Sequence, residues 1–422
     1  MTDESKERVN TDRYYTNQYL HIPDLSKVLT LPTKTNILTE ANKLLKRFEK
    51  DLIKLECSID YGSDYSVYTG TTGVVALYWL IASLNLSQDS DSVNQVEAKR
   101  FMEKRLEKQQ ESLARIERIL PKLKRKRMSF LAGDAGPLSM AVIIYHEANE
   151  TEKAKFYWKK LLELGNMVFE KDGSTPICNE ILYGRAGYLY SLLLVRKLVS
   201  QYNDDTITKR VVDRLIDEGR TDRTDSDGVL YYEWHDKCYL GAAHGISGIM
   251  YILLKAHSFL DSAQITYVRK TVDWLLGQCF SSGNLRSSLG SKDDKLVHWC
   301  HGAPGAIYMF LEAYKLFGDN QYLNAAIQSA DVIWKRGVLK KSYSLCHGVA
   351  GNAYAFMATY EQTKDEKYLE QAFIFVQWCF DYGTASTATP DRPLSLFEGL
   401  AGVIYMLFDF AGSSPKFPAF QL

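Results

Sequence analysis

Two kinds of apolar segment alternate along the chain, and both have helical spacing. In segments 322–334 and 368–378, apolar residues recur every three or four positions, which is typical of an amphipathic helix covering another. Gly337 and Gly383 follow these segments as C-terminal stops. Other segments are apolar on more than one face, as expected of helices buried on two sides. These are residues 74–84, 138–145, 188–199, 249–256, 306–317, 352–360 and 403–410.

A Gly-x-x-Gly step precedes each segment of the second kind. The seven steps occupy residues 70–73, 133–136, 184–187, 245–248, 302–305, 348–351 and 399–402. With 27 Gly in 422 residues, chance would produce about two such pairs, so the series indicates a repeat. Successive first glycines lie 46 to 63 residues apart, which leaves room for two helices per unit. Each unit is therefore predicted to be a helical hairpin.

The predicted fold is all-α, an α/α toroid of seven helical hairpins with about fourteen core helices. An open array would need polar capping repeats at its ends. The first and last of the segments that are apolar on more than one face lack such a polar surface, which favours closure of the array into a ring. No extended alternation of period two predicts a large sheet. Glycines at equivalent turns would let the backbone approach closely at one end of the ring, where we expect the chemistry.

The repeat pattern predicts one domain over residues 1–422. Residues 1–34 are expected to form an N-terminal extension packed on or near the toroid. Residues 86–128 form a charged insertion or outer-helix segment, which is rich in Lys, Glu and Gln.

Charge and composition narrow the class of protein. Lys plus Arg equals Asp plus Glu at 51 each, so nothing indicates a nucleic-acid binder. The start of the chain lacks the apolar core of a signal peptide, and no transmembrane segment is expected. We expect a cytoplasmic protein, with peripheral membrane or nuclear association left open. The seven Cys are odd in number and scattered, which favours reduced thiols or metal ligands over disulfides.

Cysteine and histidine concentrate just before the glycine steps of the fourth to sixth repeats. Cys300 and Cys346 lie two residues before their first glycines, and His347 lies one residue before. Two thiolates and an imidazole are the protein ligands of some catalytic zinc sites with an open fourth position. His301 occupies the same repeat position as His347, so the residues alone leave the nitrogen ligand open. A buried Cys can also be a small hydrophobe.

His244 occupies the equivalent position in the fourth repeat, without an adjacent Cys. It is predicted to be an acid/base group near the metal. The alternative is a helix-terminal histidine satisfied by backbone carbonyls.

The chain resembles the lanthionine synthetase C-like family, the eukaryotic relatives of bacterial lantibiotic cyclases. The matching segments span most of the chain. They are 130–138 (FLAGDAGPL), 182–187 (LYGRAG), 241–245 (GAAHG), 298–305 (HWCHGAPG), 346–352 (CHGVAGN), 395–402 (SLFEGLAG) and the ending 417–422 (FPAFQL).

This resemblance implies the seven-hairpin toroid and one zinc ion held by Cys300, Cys346 and His347. It makes His244 the proton-transfer residue. It further implies an enzyme that adds the thiol of glutathione to dehydroalanine or dehydrobutyrine, formed by loss of phosphate from phosphoserine or phosphothreonine. Damaged proteins or peptides, kinases among them, are the implied acceptors.

Family contacts to glutathione carry over in part. Lys341 matches a family lysine that could pair with a glutathione carboxylate, and Arg13 resembles an N-terminal family arginine. Thr389, Pro390 and Asp391 match a family segment whose preceding arginine is Ala388 here. Alanine lacks the guanidinium group with which an arginine could bind a carboxylate through two hydrogen bonds.

Two other functions are considered beside the zinc enzyme. One is a zinc-containing signalling scaffold that binds glutathione or a partner without significant turnover. The other is a toroidal glycosidase, which needs paired carboxylates at the cavity, whereas only Glu398 occupies an aligned position.

Overall fold

Fifteen α-helices carry most of the residues that this computed structural model describes, which are 8–9, 11–22, 30–57, 63–84, 95–124, 127–169, 177–383 and 390–422. The helices are α1 (Lys34–Glu56), α2 (Thr71–Ser83), α3 (Gln95–Ile119), α4 (Ala135–Glu147), α5 (Thr151–Leu164), α6 (Arg185–Leu198), α7 (Asp205–Gly219), α8 (Asp222–Asp227), α9 (Ile246–Lys255), α10 (Ser262–Leu276), α11 (Ala303–Phe317), α12 (Asn320–Arg336), α13 (Val349–Thr363), α14 (Glu366–Trp378) and α15 (Leu400–Ala411). Strands β1 (Arg8–Val9) and β2 (Asp293–Asp294) form a short parallel pair. The all-α prediction is confirmed.

Seven of these helices form the inner wall of a closed ring: α2, α4, α6, α9, α11, α13 and α15. Each contacts the next, and α15 contacts α2, so the predicted toroid is confirmed. Their burial is nearly complete, as in α4, where every residue from Ala135 to Tyr145 is buried. Each inner helix begins three residues before its predicted apolar segment, because the second glycine of the step lies inside the first helical turn.

The outer helices pack against the inner ones. Helices α3, α5, α7, α10, α12 and α14 each follow and contact their inner partner, and α1 covers α15. The seventh hairpin therefore joins the two ends of the chain. In α1 the buried face recurs at helical spacing, with Ile37, Ala41, Leu44, Leu45, Phe48 and Leu52.

Backbone hydrogen bonds connect the turns before the inner helices around one end of the ring. The bonds join residues two positions before the first glycines: Tyr68 N–H to Leu131 O (2.9 Å), Leu182 to Ala243 (3.2 Å), Ala243 to Cys300 (3.5 Å), Cys300 to Cys346 (3.3 Å), Cys346 to Phe397 (2.9 Å) and Phe397 back to Tyr68 (3.0 Å). Between the second and third turns, the Ser129 hydroxyl donates to Leu182 O at 2.6 Å. Equivalent positions of distant repeats are thus neighbours in space.

The glycine steps make this close approach of the turns sterically feasible. A Cβ atom on Gly351 would lie 1.9 Å from the carbonyl oxygen of Leu345, so a side chain there would collide with backbone. Gly302 has φ +112°, a conformation that other residues rarely adopt. Both glycines flank the turns that carry Cys300 and Cys346.

The C-terminal segment fills the interior of the ring. Phe417 and Phe420 are completely buried. Phe417 stacks on Trp299 with ring centroids 5.2 Å apart, and Phe420 packs edge-on against the same indole at 5.3 Å. The tail therefore supports the residue that immediately precedes Cys300.

Residues near the N-terminus pack beside α12 and the segment that follows it. The Tyr15 amide donates to Val338 O at 2.8 Å, and the Lys340 amide donates to Arg13 O at 3.0 Å. The Asn17 side chain donates to Trp334 O at 2.8 Å. Within the described part of the chain, no helix is long and apolar enough to cross a membrane.

Candidate metal centre

Cys300, Cys346 and His347 meet at the end of the ring where the pre-glycine turns converge. One ligand atom from each lies within 4.8 Å of the other two. Cys300 and Cys346 are held side by side by the backbone bond between their turns, at 3.3 Å. Cys346 is buried, whereas Cys300 and His347 are partly accessible. The group is thus partly accessible to solvent.

The donor set fits a tetrahedral zinc ion. Ligands at about 2.0–2.3 Å from zinc lie about 3.4–3.8 Å from one another, a spacing compatible with this cluster. Burial raises the pKa of the Cys346 thiol well above its usual value, and the adjacent Cys300 raises it further. Two ionised thiols at such close range need a compensating cation. Three protein ligands leave a fourth coordination position open for a substrate.

Tyr68 is a neighbour of the cluster whose role the repeat alignment did not reveal. Its hydroxyl donates to the Cys346 sulfur at 2.9 Å, and its ring stacks on Phe397 with centroids 4.9 Å apart. Burial, followed by the nearby Cys346, raises the pKa of Tyr68 well above its usual value. The phenol therefore keeps its proton and acts as a donor to the sulfur ligand.

His301 lies outside the three-residue ligand group, although its repeat position matches that of His347. Its ring centroid is 6.3 Å from that of His244 and 5.7 Å from that of Tyr239. Burial, and after it the neighbouring His244, lowers the pKa of His301 to about 4. His301 is thus a neutral imidazole at neutral pH, next to Cys300 in the chain and near the ring of His244.

His244 lies in an aromatic setting beside the cluster. Its ring stacks on Trp234 at 4.1 Å with an interplanar angle of 6°, and Tyr183 lies at 5.7 Å on a similar plane. Its Nδ1 is 3.4 Å from Glu180 Oε2. The sequence predicted a role for His244 but identified neither Trp234 nor Glu180, because both lie outside the aligned repeat positions.

Glu180 is itself held rigidly. Its two carboxylate oxygens accept backbone N–H groups of Leu182 at 2.6 Å and Tyr183 at 2.8 Å. Only 2% of the residue's surface is exposed. A fixed, buried carboxylate beside Nδ1 can orient the imidazole.

Two residues predicted to bind glutathione lie near His298, which precedes Cys300 by two positions. The pKa of the buried His298 is well below its usual value, first because of burial and then because of His347, Lys341 and Arg13. The ring of His298 is 5.9 Å from that of His347. Arg13 and Lys341 therefore lie within electrostatic range of His298, whose ring neighbours that of the predicted ligand His347.

The remaining predicted contacts stand apart from this arrangement. Pro390 is partly buried and Asp391 is exposed, in the segment that leads to Glu398. The described contacts do not join either residue to the metal ligands, and Thr389 lies outside the described residues. Glu398 is close enough to Tyr68 and Tyr183 to contribute to their raised pKa values, after the larger effect of burial.

Comparison with known proteins identifies the family. Residues 61–422 match the family described as lanthionine synthetase C-like protein. The chain is 36% identical over 409 residues to a protein from Danio rerio named Glutathione S-transferase LANCL1, and the match covers 94% of each chain. The fold matches nisin cyclase with a TM-score of 0.64, at 17% identity, over 87% of this chain and 93% of that one. The chain belongs to the lanthionine synthetase C-like family.

Proposed function

We propose that the protein is a zinc-dependent enzyme that adds the thiol of glutathione to dehydroalanine or dehydrobutyrine residues in proteins or peptides. The observation that carries the proposal is the convergence of Cys300, Cys346 and His347 within 4.8 Å. The imidazole of His244 lies outside that group, on the turn whose Ala243 amide donates to the Cys300 carbonyl. The name of the Danio rerio relative supports glutathione as the thiol.

A zinc ion held by these three residues would supply an open position where a thiol loses its proton near neutral pH. Cys300 and Cys346 would bind as thiolates, so the site would carry no net positive charge and the incoming sulfur would stay nucleophilic. Tyr68, which donates a hydrogen bond to Cys346, orients that ligand and moderates its charge.

His244 is proposed to complete the addition by proton transfer. Sulfur attack forms a bond to the β-carbon, and the electron pair of the carbon–carbon double bond moves toward the α-carbon and the adjacent carbonyl. An imidazolium at His244 then gives a proton to the α-carbon, and the ring is reprotonated by the proton that the thiol released. The net change is addition of S–H across the double bond. Glu180 orients the imidazole, and stacking on Trp234 holds its plane.

Arg13 and Lys341 are proposed to bind the carboxylates of glutathione. Both act on the electrostatic environment of His298, beside His347. The buried Nε of Arg13 makes no hydrogen bond within the described protein, which suits an anionic ligand. Replacing either residue with alanine should raise KM for glutathione while zinc content stays unchanged. Thr389, Pro390 and Asp391 remain proposed contacts on the resemblance alone.

The decisive experiment is an adduct assay with the full-length, zinc-loaded protein. Glutathione and a dehydrobutyrine peptide are incubated with the enzyme, and the thioether product is detected by mass spectrometry. Cys346→Ala should lose both bound zinc and product. Cys379→Ala is the matched control, because Cys379 is also a buried thiol but lies outside the ligand group.

Two results would overturn the enzyme proposal. One is the absence of adduct from wild-type protein that contains one zinc ion per chain. The other is equal turnover by wild type and Cys346→Ala. Zinc and glutathione binding without adduct would instead support the scaffold function.

A further inference from the structure

We propose that a basic groove beside His301 binds the acceptor chain and selects acceptors with acidic or phosphorylated residues next to the reacting one. The groove has a volume of about 550 Å³ and lies between the segment around Lys237 and the loop of residues 287–296. This is the size range of specific ligand sites, about 300–1,000 Å³. The assignment rests on the proposed function, because it takes the occupant of the groove to be the acceptor that reacts there.

The walls of the groove are tied together by backbone hydrogen bonds. The Leu240 amide donates to Ser287 O at 3.1 Å, and the Leu289 amide donates to Cys238 O at 2.9 Å. Tyr239 and Ser288 form an antiparallel bridge between them. The groove is therefore a preformed feature of two paired segments, which lowers the cost of ordering a bound chain.

The charge of the groove is positive. Lys237, Lys292 and Lys295 line it and are all exposed, while Asp293 is the one acidic residue among its lining residues. Lys295 pairs with Asp293 at 3.2 Å. The lining therefore carries an excess of two positive charges, although the whole chain is electrically neutral. Such local complementarity favours an anionic partner.

The inner end of the groove reaches the catalytic residues. Tyr239 and His301 line it, and Tyr239 lies 6.2 Å from His244 by ring centroids. His301 directly follows the metal ligand Cys300. A chain in the groove can thus present one residue to the thiol while neighbouring residues contact the lysines.

Arg13 and Lys341 are not expected to bind the acceptor. Neither residue is among those that line the groove, whereas Lys237, Lys292 and Lys295 are. Two anionic substrates that must react with each other need separate cationic contacts. The arrangement provides one set for glutathione and another for the acceptor.

The test is direct binding followed by turnover, using the zinc-loaded full chain with glutathione present. Two fluorescent peptides contain alanine in place of the reacting residue, with either Glu or Lys at the flanking positions. We expect wild type to bind the Glu peptide about tenfold more tightly, as a few exposed charge pairs allow. The preference should fall sharply in about 1 M salt, where charges are screened beyond about 3 Å.

Charge reversal identifies the groove as the source of the preference. Lys237→Glu combined with Lys292→Glu and Lys295→Glu should abolish or invert it, and Lys237→Glu alone should reduce it about threefold. Because Lys292 and Lys295 flank β2, zinc content and urea unfolding establish that the triple variant is folded. The matched control reverses Lys50, Lys155 and Lys159, which are exposed on α1 and α5.

The outcomes separate this proposal from the proposed function. Equal binding of the two peptides by wild type, or the same loss of preference in the control triple, would overturn the groove assignment. The same peptides with dehydrobutyrine are then tested for adduct. Adduct without charge preference refutes the groove alone, whereas charge preference without any adduct refutes the enzymatic function alone.

Discussion

Replacing Phe417 with alanine is expected to weaken metal binding as well as folding, because the C-terminal tail supports the ligands from inside the ring. The Phe417 side chain is completely buried. Its ring packs against Trp299, Tyr354, Phe397, Tyr308 and Phe420, with centroids 5.2, 5.5, 6.0, 6.0 and 6.2 Å away.

Two of these neighbours connect Phe417 to Cys300 and Cys346, the proposed sulfur ligands. Trp299 is adjacent to Cys300 in the chain. The Phe397 carbonyl accepts the Cys346 amide at 2.9 Å, and the Phe397 ring stacks on Tyr68 at 4.9 Å. A cavity beneath Trp299 and Phe397 would therefore loosen the backbone and side-chain contacts of both ligands.

The expected losses differ in size. Removing a buried phenyl ring costs about 3–5 kcal/mol of the free energy of unfolding, from a total of about 5–15 kcal/mol. Disturbing residues that orient metal ligands lowers metal affinity by about 10- to 100-fold. We expect zinc affinity to fall about tenfold, which corresponds to about 1.4 kcal/mol.

Zinc affinity is measured by competition with a chromophoric chelator, and stability by urea unfolding of the metal-free proteins. The Co²⁺-substituted protein reports ligand geometry through its absorption spectrum. Phe48→Ala is the matched control, since Phe48 is equally buried but lies on the outer helix α1. It should lose similar stability yet keep the wild-type zinc affinity and Co²⁺ spectrum. Equal zinc affinity in Phe417→Ala and Phe48→Ala would refute the reasoning.

Three further predictions concern single polar groups. Tyr68→Phe removes the hydrogen-bond donor to Cys346 and should lower zinc affinity about tenfold. It should also shift the charge-transfer band of the Co²⁺-substituted protein, and an unchanged band would contradict the assigned hydrogen bond. Glu180→Gln removes the carboxylate beside His244 and should lower kcat about 100-fold at unchanged zinc content; wild-type kcat would exclude this orienting role. Burial raises the pKa of Asp409 to about 7, so the folded state holds its proton more tightly than the unfolded state does, and this contribution to stability should decline as pH rises from about 4 to 7. Asp409→Asn should flatten that decline in urea unfolding curves measured across this range, and an identical pH dependence in both proteins would contradict the assignment.

Part of the site could be read from the repeat alignment. Tyr68, Cys300 and Cys346 share one repeat position, two residues before the first glycine. Backbone hydrogen bonds between the turns make these equivalent positions neighbours. The alignment therefore contained the signal for Tyr68, although a tyrosine in that position carries no metal chemistry of its own. Glu180 and Trp234 gave no such signal, since neither occupies an aligned position.

The first residues of the inner helices could not be predicted from the apolar pattern. The apolar pattern predicted an inner helix from residue 352, whereas α13 begins at Val349. The helical residues before the pattern include Gly351, whose missing side chain contributes nothing to apolar periodicity. Its role depends instead on the Leu345 carbonyl, which would lie 1.9 Å from a Cβ atom there.

The sequence by itself determined the inner helices, the repeat and the chemical types of the candidate ligands, because periodicity, glycine spacing and residue type are properties of short stretches of chain. The resemblance implied His347 as the nitrogen ligand, whereas the residues by themselves left His301 open. The tertiary structure decided that α1 covers α15, and it places His347, rather than His301, in one group with Cys300 and Cys346. His301 and His347 have the same local setting before a glycine. Their distances to the sulfur atoms differ because ring closure places each turn against different neighbours, and local sequence does not encode those distances.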